Sequence, residues 1–207
     1  MRGRRALIAA LGAAAAALAL SACGVPVTGS ARALSRGDLP PAQAASTTTT
    51  APADDLALTI MLLDPNQQPT PVTRYAPQQQ DRLSTALDDL FAGPGSSDLT
   101  RGLTTAIPDT TQLLRVSPDP PANAGPPANG PVTVDLSGNF LIITGLTQLL
   151  AVEQVVLTVA CYLGETTPVA FEVEGSPLSV PTGSGTSVTR PVLATDYLNA
   201  TPLSCGP

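Results

Sequence analysis

The residues able to do chemistry are few, and their spacing limits what they can do. Glu172 and Glu174 lie two residues apart in Val169-Ala170-Phe171-Glu172-Val173-Glu174-Gly175, an alternating run that reads as a strand. Two carboxyls on one strand face are the raw material of a glycosidase acid pair. Here Val169, Phe171 and Val173 claim the buried face, so the glutamates read as a solvated outer face. Asp54-Asp55 and Asp88-Asp89 are adjacent pairs without the oxygen-ligand spacing of an EF-hand. Ser184, in Gly183-Ser184-Gly185-Thr186-Ser187, has a Gly/Ser loop around it but no Lys or His anywhere in the chain to activate it. The complete lack of His also removes Ser-His-Asp and Cys-His pairs and any His-ligated zinc or haem. No catalytic residue, metal site or cofactor is expected, and the chain is expected not to be an enzyme. A carboxylate hydrolase would need two carboxyls facing one cleft.

Three cysteines carry the remaining chemistry. Arg2, Arg4 and Arg5 precede the apolar run Ala6 to Leu20, and small residues follow it, which is the layout of a secretory signal over residues 1–22. The run is short for a membrane span, which takes about 20 residues. Leu20-Ser21-Ala22-Cys23-Gly24 resembles the lipobox of bacterial lipoproteins. That resemblance implies cleavage before Cys23 and diacylglycerol on its thiol, hence anchoring to the outer face of the cell membrane. Two acyl chains suffice for stable anchoring where one gives only reversible binding. The alternative is an ordinary signal peptide with a chance cysteine. Cys161 and Cys205 then remain, an even number in an oxidising compartment. Bonded, they would close a loop of about 45 residues and fix the C-terminal tail, for roughly 4 kcal/mol; two free thiols are the alternative.

Removing residues 1–22, which hold three arginines and no acid, leaves seven basic against sixteen acidic residues, a net charge of −9. Nucleic-acid binding through a phosphate-neutralising patch is therefore excluded from the expected partners. Residues 23–55 are poor in large apolar side chains and contain Pro40-Pro41 and Ser46-Thr47-Thr48-Thr49-Thr50-Ala51-Pro52. They read as a disordered tether, with a reach of roughly 30 Å as coil. Composition alone leaves open whether its Ser/Thr tract is glycosylated.

Residues 56–207 must supply the folded domain. Leu56 to Leu63 is a short apolar run closed by Asp64-Pro65-Asn66, as a buried strand would be. Leu83, Ala86, Leu87, Leu90 and Phe91 then follow a helical stripe, with Gly93-Pro94-Gly95 as the stop, predicting a helix from about Gln78 to Ala92. Thr110 to Val116 and Val132 to Leu136 read as strands joined across the Pro-rich stretch 118–131, most simply antiparallel. From Thr144 to Leu163 length favours a helix, while four valines and Thr158 leave room for a break into strand. The Val169 strand follows, and Pro191-Val192-Leu193 is the strand-like patch of the tail. The order β-α-β-β-α-β predicts an α+β domain: a single small, mainly antiparallel sheet with two helices on one face.

Several of these residues resemble a known module. Leu87-Asp88-Asp89-Leu90-Phe91-Ala92-Gly93-Pro94, Gly102 to Pro108, and Val132-Thr133-Val134-Asp135-Leu136-Ser137 with Phe140 are similar to the GerMN domain of sporulation and spore germination. So are Ala151 to Val159 and Phe171 to Gly175 with Pro181, giving a match over about residues 80–182. The lipobox ahead of it also resembles the GerMN part of LpqB-like lipoproteins. The resemblance implies a fold similar to ring-building motifs and a non-enzymatic interaction or scaffold role in the cell envelope, with a protein partner there. It carries over no catalytic residues. The signature residues have structural readings: Gly93-Pro94 ends a helix, Ile107-Pro108 bends the chain into a strand, Asp135 and Ser137 cap the turn after a strand, and Gly175 allows positive φ. A functional alternative has Asp135-Leu136-Ser137 lining a ligand groove, and the alternative to a scaffold is a lipoprotein that binds a small glycan or lipid.

Overall fold

In the computed structural model, residues 55–80, 82–121, 124–198 and 203–205 are described. The signal segment, Cys23, Asp54 and the tether lie outside them. Strand β1 (Asp55–Leu63) is buried on both faces from Ile60 onward, which explains its unbroken apolar run. It pairs antiparallel with β2 (Pro69–Pro77), with Ile60 opposite Val72 and Leu63 opposite Pro69. This second strand is not among those expected from the sequence. Its prolines cannot donate to a ladder and so belong on an edge, which is where β2 runs. Asp64 closes the intervening turn, its Oδ1 accepting the backbone N–H groups of Asn66 and Gln68, both at 2.8 Å.

Helix α1 (Leu83–Ala92) begins later than the predicted Gln78, because Gln78–Gln80 form a separate 3₁₀ turn. Its first turn is capped from afar: Asp119, in the Pro-rich loop, accepts the Ser84 backbone N–H at 2.8 Å and the Ser84 hydroxyl at 2.7 Å. A short helix α2 (Ser96–Thr100), not anticipated from sequence, follows.

Strands β3 (Leu113–Ser117), β4 (Val132–Leu136), β5 (Val169–Val173) and β6 (Ser176–Pro177) form a four-stranded sheet in chain order. The β3–β4 pair is antiparallel as expected. The β4–β5 pair is parallel, with Val134 opposite Phe171, because helix α3 (Gly145–Leu163) crosses between them. A third small pair joins β7 (Val180–Pro181) and β8 (Ser187–Val188). The class is α+β with mostly antiparallel sheets, as predicted. The strands divide among three hydrogen-bonded sheets, and three α-helices occur among the described residues. Pro191-Val192-Leu193 contributes one bridge, Val192 to Val169.

Helix α3 organises the core and continues through Thr158 without a break. It is long and apolar enough to cross a membrane by length and composition, but it is enclosed by the domain: Ala151, Val152, Val155, Val156 and Val159 are fully buried against α1, β1 and the four-stranded sheet. Its opposite side, Leu157 and Ala160, joins Met61 and Ala194 in a second, smaller cluster under the C-terminal segment.

The free edge of β1 is closed by side chains of α3. The Met61 N–H donates to Thr158 Oγ1 at 3.0 Å, and its carbonyl accepts from Gln154 Nε2 at 2.8 Å. Gln154 Oε1 also accepts the Ala106 N–H at 2.8 Å, so one fully buried amide ties helix, strand and the 105–107 loop together.

Candidate functional site

The signature residues prove to be chain-shaping. Gly93 ends α1 at φ 79°, its N–H donating to Leu90 O at 3.1 Å. Ile107 is buried and its N–H donates to Thr105 Oγ1 at 3.1 Å. Pro108 does not lead straight into a strand as expected: its carbonyl accepts the Thr111 N–H at 2.9 Å, forming a turn, and β3 starts at Leu113. Asp135 and Ser137 both cap backbone, but not in the turn after their own strand. Asp135 Oδ1 accepts the Gly175 N–H at 3.0 Å, in the turn after β5, and Ser137 Oγ accepts the Gln112 N–H at 2.9 Å, at the start of β3. Leu136 between them is part of the core.

Glu174 and Gly175 form the two-residue β5–β6 turn, both at positive φ, 51° and 75°. Glu174 is therefore not on the strand face with Glu172, and the expected shared face does not exist. Its Oε1 accepts the Gly138 N–H at 3.2 Å. Glu172 sits in a row with Asp135 and Arg115 across three strands, where the Arg115 guanidinium lies 3.3 Å from Glu172 and 3.9 Å from Asp135. Both glutamates are thus engaged structurally rather than facing one cleft.

The other candidates disperse similarly. Asp88 is exposed and Asp89 half-buried on α1; burial raises both carboxyls, and for Asp88 its acidic neighbours add to the rise. No group of His, Cys, Asp and Glu suited to a metal occurs among the described residues. Ser184 shares a hydroxyl cluster with Thr182 and Thr186, at 2.9 and 3.0 Å. Gly183 beside it packs so closely on the Asp196 carbonyl that a Cβ would lie 2.9 Å away. The Cys161 and Cys205 sulfurs are bonded, with Cα atoms 5.3 Å apart, and Thr59 Oγ1 donates to the Cys205 carbonyl at 2.9 Å. The tail is thereby held against α3 and β1.

Asp98, which gave no signal in the sequence, is the most completely enclosed charge among the described residues. It is 1% exposed, bonded by Arg74, by Arg101 at 2.7 Å and by the Gly95 N–H at 2.8 Å. Burial alone would raise its carboxyl, but the two guanidinium groups and the backbone donor outweigh it and hold the group below the usual carboxylate range.

Two further features stand out among the described residues. Leu141, Ile142 and Leu146 are 54%, 69% and 59% exposed where the Gly138–Ile142 3₁₀ turn meets α3. No ionisable residue occurs in the chain between Asp135 and Glu153, so the stretch that carries these side chains is itself uncharged, with the Glu174 carboxylate bonded to Gly138 at the start of the turn. The second is a cavity of about 250 Å³ between the β1–β2 hairpin, α3 and the tail, with Met61, Leu157, Leu198, Leu203 and two β2 prolines as its apolar walls and Glu153, Gln68, Tyr197 and Ser204 as polar groups. Burial pushes the Glu153 carboxyl up to about 7. The Tyr197 hydroxyl donates to Pro181 O at 2.9 Å; burial, with Asp196 and Glu153 nearby, raises it.

The family described as Germane, sporulation and spore germination, matches residues 59–179. The match begins within β1, about twenty residues before the resemblance read from sequence. Among solved structures, the tandem GerMN domains of the sporulation protein GerM from Bacillus subtilis align with TM-score 0.53 and 22% identity, covering 71% of this chain and 48% of that one. The first GerMN domain of the same protein aligns with TM-score 0.51 and 18% identity, covering 68% of this chain and 98% of that one. This chain thus spans about half the length of the tandem pair and matches a single domain. No curated protein matches.

Proposed function

Because the chain belongs to the Germane family of sporulation and spore germination, we propose that it is a non-enzymatic interaction module, lipid-anchored through Cys23 on the outer face of the cell membrane and docking an envelope protein. The observation that carries this reading is the exposure of three large apolar side chains, Leu141, Ile142 and Leu146, where the 3₁₀ turn meets α3. Three large apolar side chains held in water at this junction are not part of the domain's own core, and a partner would remove them from solvent at about 25 cal/mol per Å². The catalytic alternatives lack support, since Glu172, Glu174 and Ser184 are each engaged in structural contacts.

The test is photo-crosslinking in intact cells from a reactive residue at position 142, read by mass, beside the same chain carrying Leu146→Asp. The reading expects a discrete protein adduct that Leu146→Asp weakens at least fivefold. It also expects Cys23→Ala to move the protein from the membrane fraction to the medium. An adduct pattern indifferent to Leu146→Asp, or membrane retention without Cys23, overturns the corresponding half. A second reading, small-ligand binding, is favoured by the cavity beside Glu153.

A further inference from the structure

We infer that the cavity beside Glu153 is a binding site for a primary alkylammonium group, an apolar chain of several carbons ending in an ammonium, carried by a free amine or by a lysine side chain. The inference is independent of the apolar patch and of the anchor at Cys23.

Glu153 is the one charged side chain on α3 and on the cavity lining. Among the described residues its carboxylate has no hydrogen bond or ion pair. Nor can a described cation serve it. The chain has no lysine, and the arginines of the described residues are committed elsewhere: Arg74 and Arg101 to Asp98, Arg115 to Glu172, Arg82 to Asp119 O at 3.1 Å, and Arg190 to Asp196 at 2.8 and 3.0 Å. A half-buried carboxylate without a counter-ion costs desolvation that nothing in the described domain returns. A cation from outside would return it.

The walls select the rest of the ligand. Met61 and Leu157, part of the smaller core cluster, line it with Leu198, Leu203, Pro69 and Pro71, while Gln68 and Ser204 add polar groups beside Glu153. About 250 Å³ accommodates roughly eight water-sized groups, enough for a short alkyl chain with its ammonium. The Leu203 wall is held in place by the Cys161–Cys205 bond and the Thr59 hydrogen bond. Such a site needs little ordering to bind. The domain's acidic balance adds long-range attraction for cations.

Titration supports the geometry. An entering ammonium favours the ionised carboxylate, so binding below pH 7 releases a proton and binding strengthens above it. The other ionisable groups on the surrounding elements are Asp55 and Asp64 on β1 and its turn, Arg74 and Tyr75 on β2, Tyr162 on α3, and Asp196 with Tyr197 in the tail. Asp196 is held ionised by its bond to Arg190; Tyr197 stays protonated through this range.

The test titrates n-hexylammonium into the full chain carrying Cys23→Ala, at pH 8 and pH 5.5, followed by NMR and calorimetry, with n-hexanol as control. Saturable one-site binding is expected at pH 8, at least tenfold tighter than n-hexanol and at least fivefold weaker at pH 5.5. Glu153→Gln, which removes the charge without changing shape, is expected to lose at least tenfold. Leu203→Trp, which fills the cavity and keeps the charge, is expected to abolish binding with the fold intact by circular dichroism. Nα-acetyl-lysine methylamide separates the sources: binding as tight as n-hexylammonium assigns the site to a protein side chain, while n-hexylammonium binding alone assigns it to a free amine, and either upholds the inference. No saturable binding of n-hexylammonium, or equal affinity in Glu153→Gln, overturns it.

Discussion

Asp98 and Glu153 show how opposite surroundings make two carboxyls respond oppositely to pH. Asp98 is ionised beside two guanidinium groups and titrates below its ordinary range, so the stability it contributes is present above its unfolded pKa and is lost as pH falls through the lower folded value. Asp98→Asn leaves two arginines facing a neutral amide and is expected to cost about 2–3 kcal/mol at pH 7, read by urea unfolding. Glu153 has the reverse sign: the folded state holds its proton up to about 7 where the unfolded chain has released it near 4.5. Stability therefore declines as pH rises from about 4.5 to 7, and Glu153→Gln is expected to remove that decline, gaining about 1–2 kcal/mol at pH 8 after allowance for solvent screening. The midpoint of chemical unfolding checks the two directions in separate windows: between about pH 5 and pH 3 for Asp98, and between about pH 5 and pH 8 for Glu153. Gln154, its neighbour, carries no charge and matters more to the fold. Gln154→Leu takes away the partner of the buried Met61 carbonyl and of the half-buried Ala106 N–H and is expected to cost about 2–4 kcal/mol.

Among the elements, legibility followed the physics of each signal. Helix α3 and strands β4 and β5 stand out in sequence because length and alternation mark them, and the Gly93 stop of α1 is visible because only the glycine tolerates φ near 79°. Strand β2 is invisible because prolines argue against strand unless the edge position is known, and that is a tertiary fact. The parallel β4–β5 pair was equally hidden: strand order across a crossover depends on where α3 lands, not on any residue in β5. Of the candidate site, the sequence shows Glu153 as a polar mark in an apolar run, but the wall opposite it is brought from residue 203 by a bond across forty-four positions. Asp98 was missed because Arg74, twenty-four residues away, gives no local signal. The disulfide acts at this scale too. Cys161→Ser with Cys205→Ser frees the tail, for an expected loss of about 3–4 kcal/mol, and hydrogen exchange should rise first in Ala194 to Leu198, the part of the tail resting on the smaller cluster.

Taken as a molecule, the chain divides its apolar content unevenly. Part of it belongs to the stretch before Cys23, part to a core centred on α3, and a remainder is left in water at Leu141, Ile142 and Leu146. The net charge of −9 after residue 22 opposes adsorption to anionic lipid. The chain carrying Cys23→Ala is accordingly expected to stay in solution with phosphatidylglycerol vesicles in a sedimentation assay at 0.1 M salt, while the lipidated form pellets with them.

The β1–β2 hairpin decides how such molecules behave when crowded. One edge of β1 is occupied by Thr158 and Gln154, and β2 presents prolines 69, 71 and 77 at the other. Neither side offers a full row of donors and acceptors on which another copy's strand could grow. Molecules concentrated on a surface can therefore sit close together without cross-β aggregation starting from this hairpin, and whatever docks on it must read side chains rather than extend the sheet.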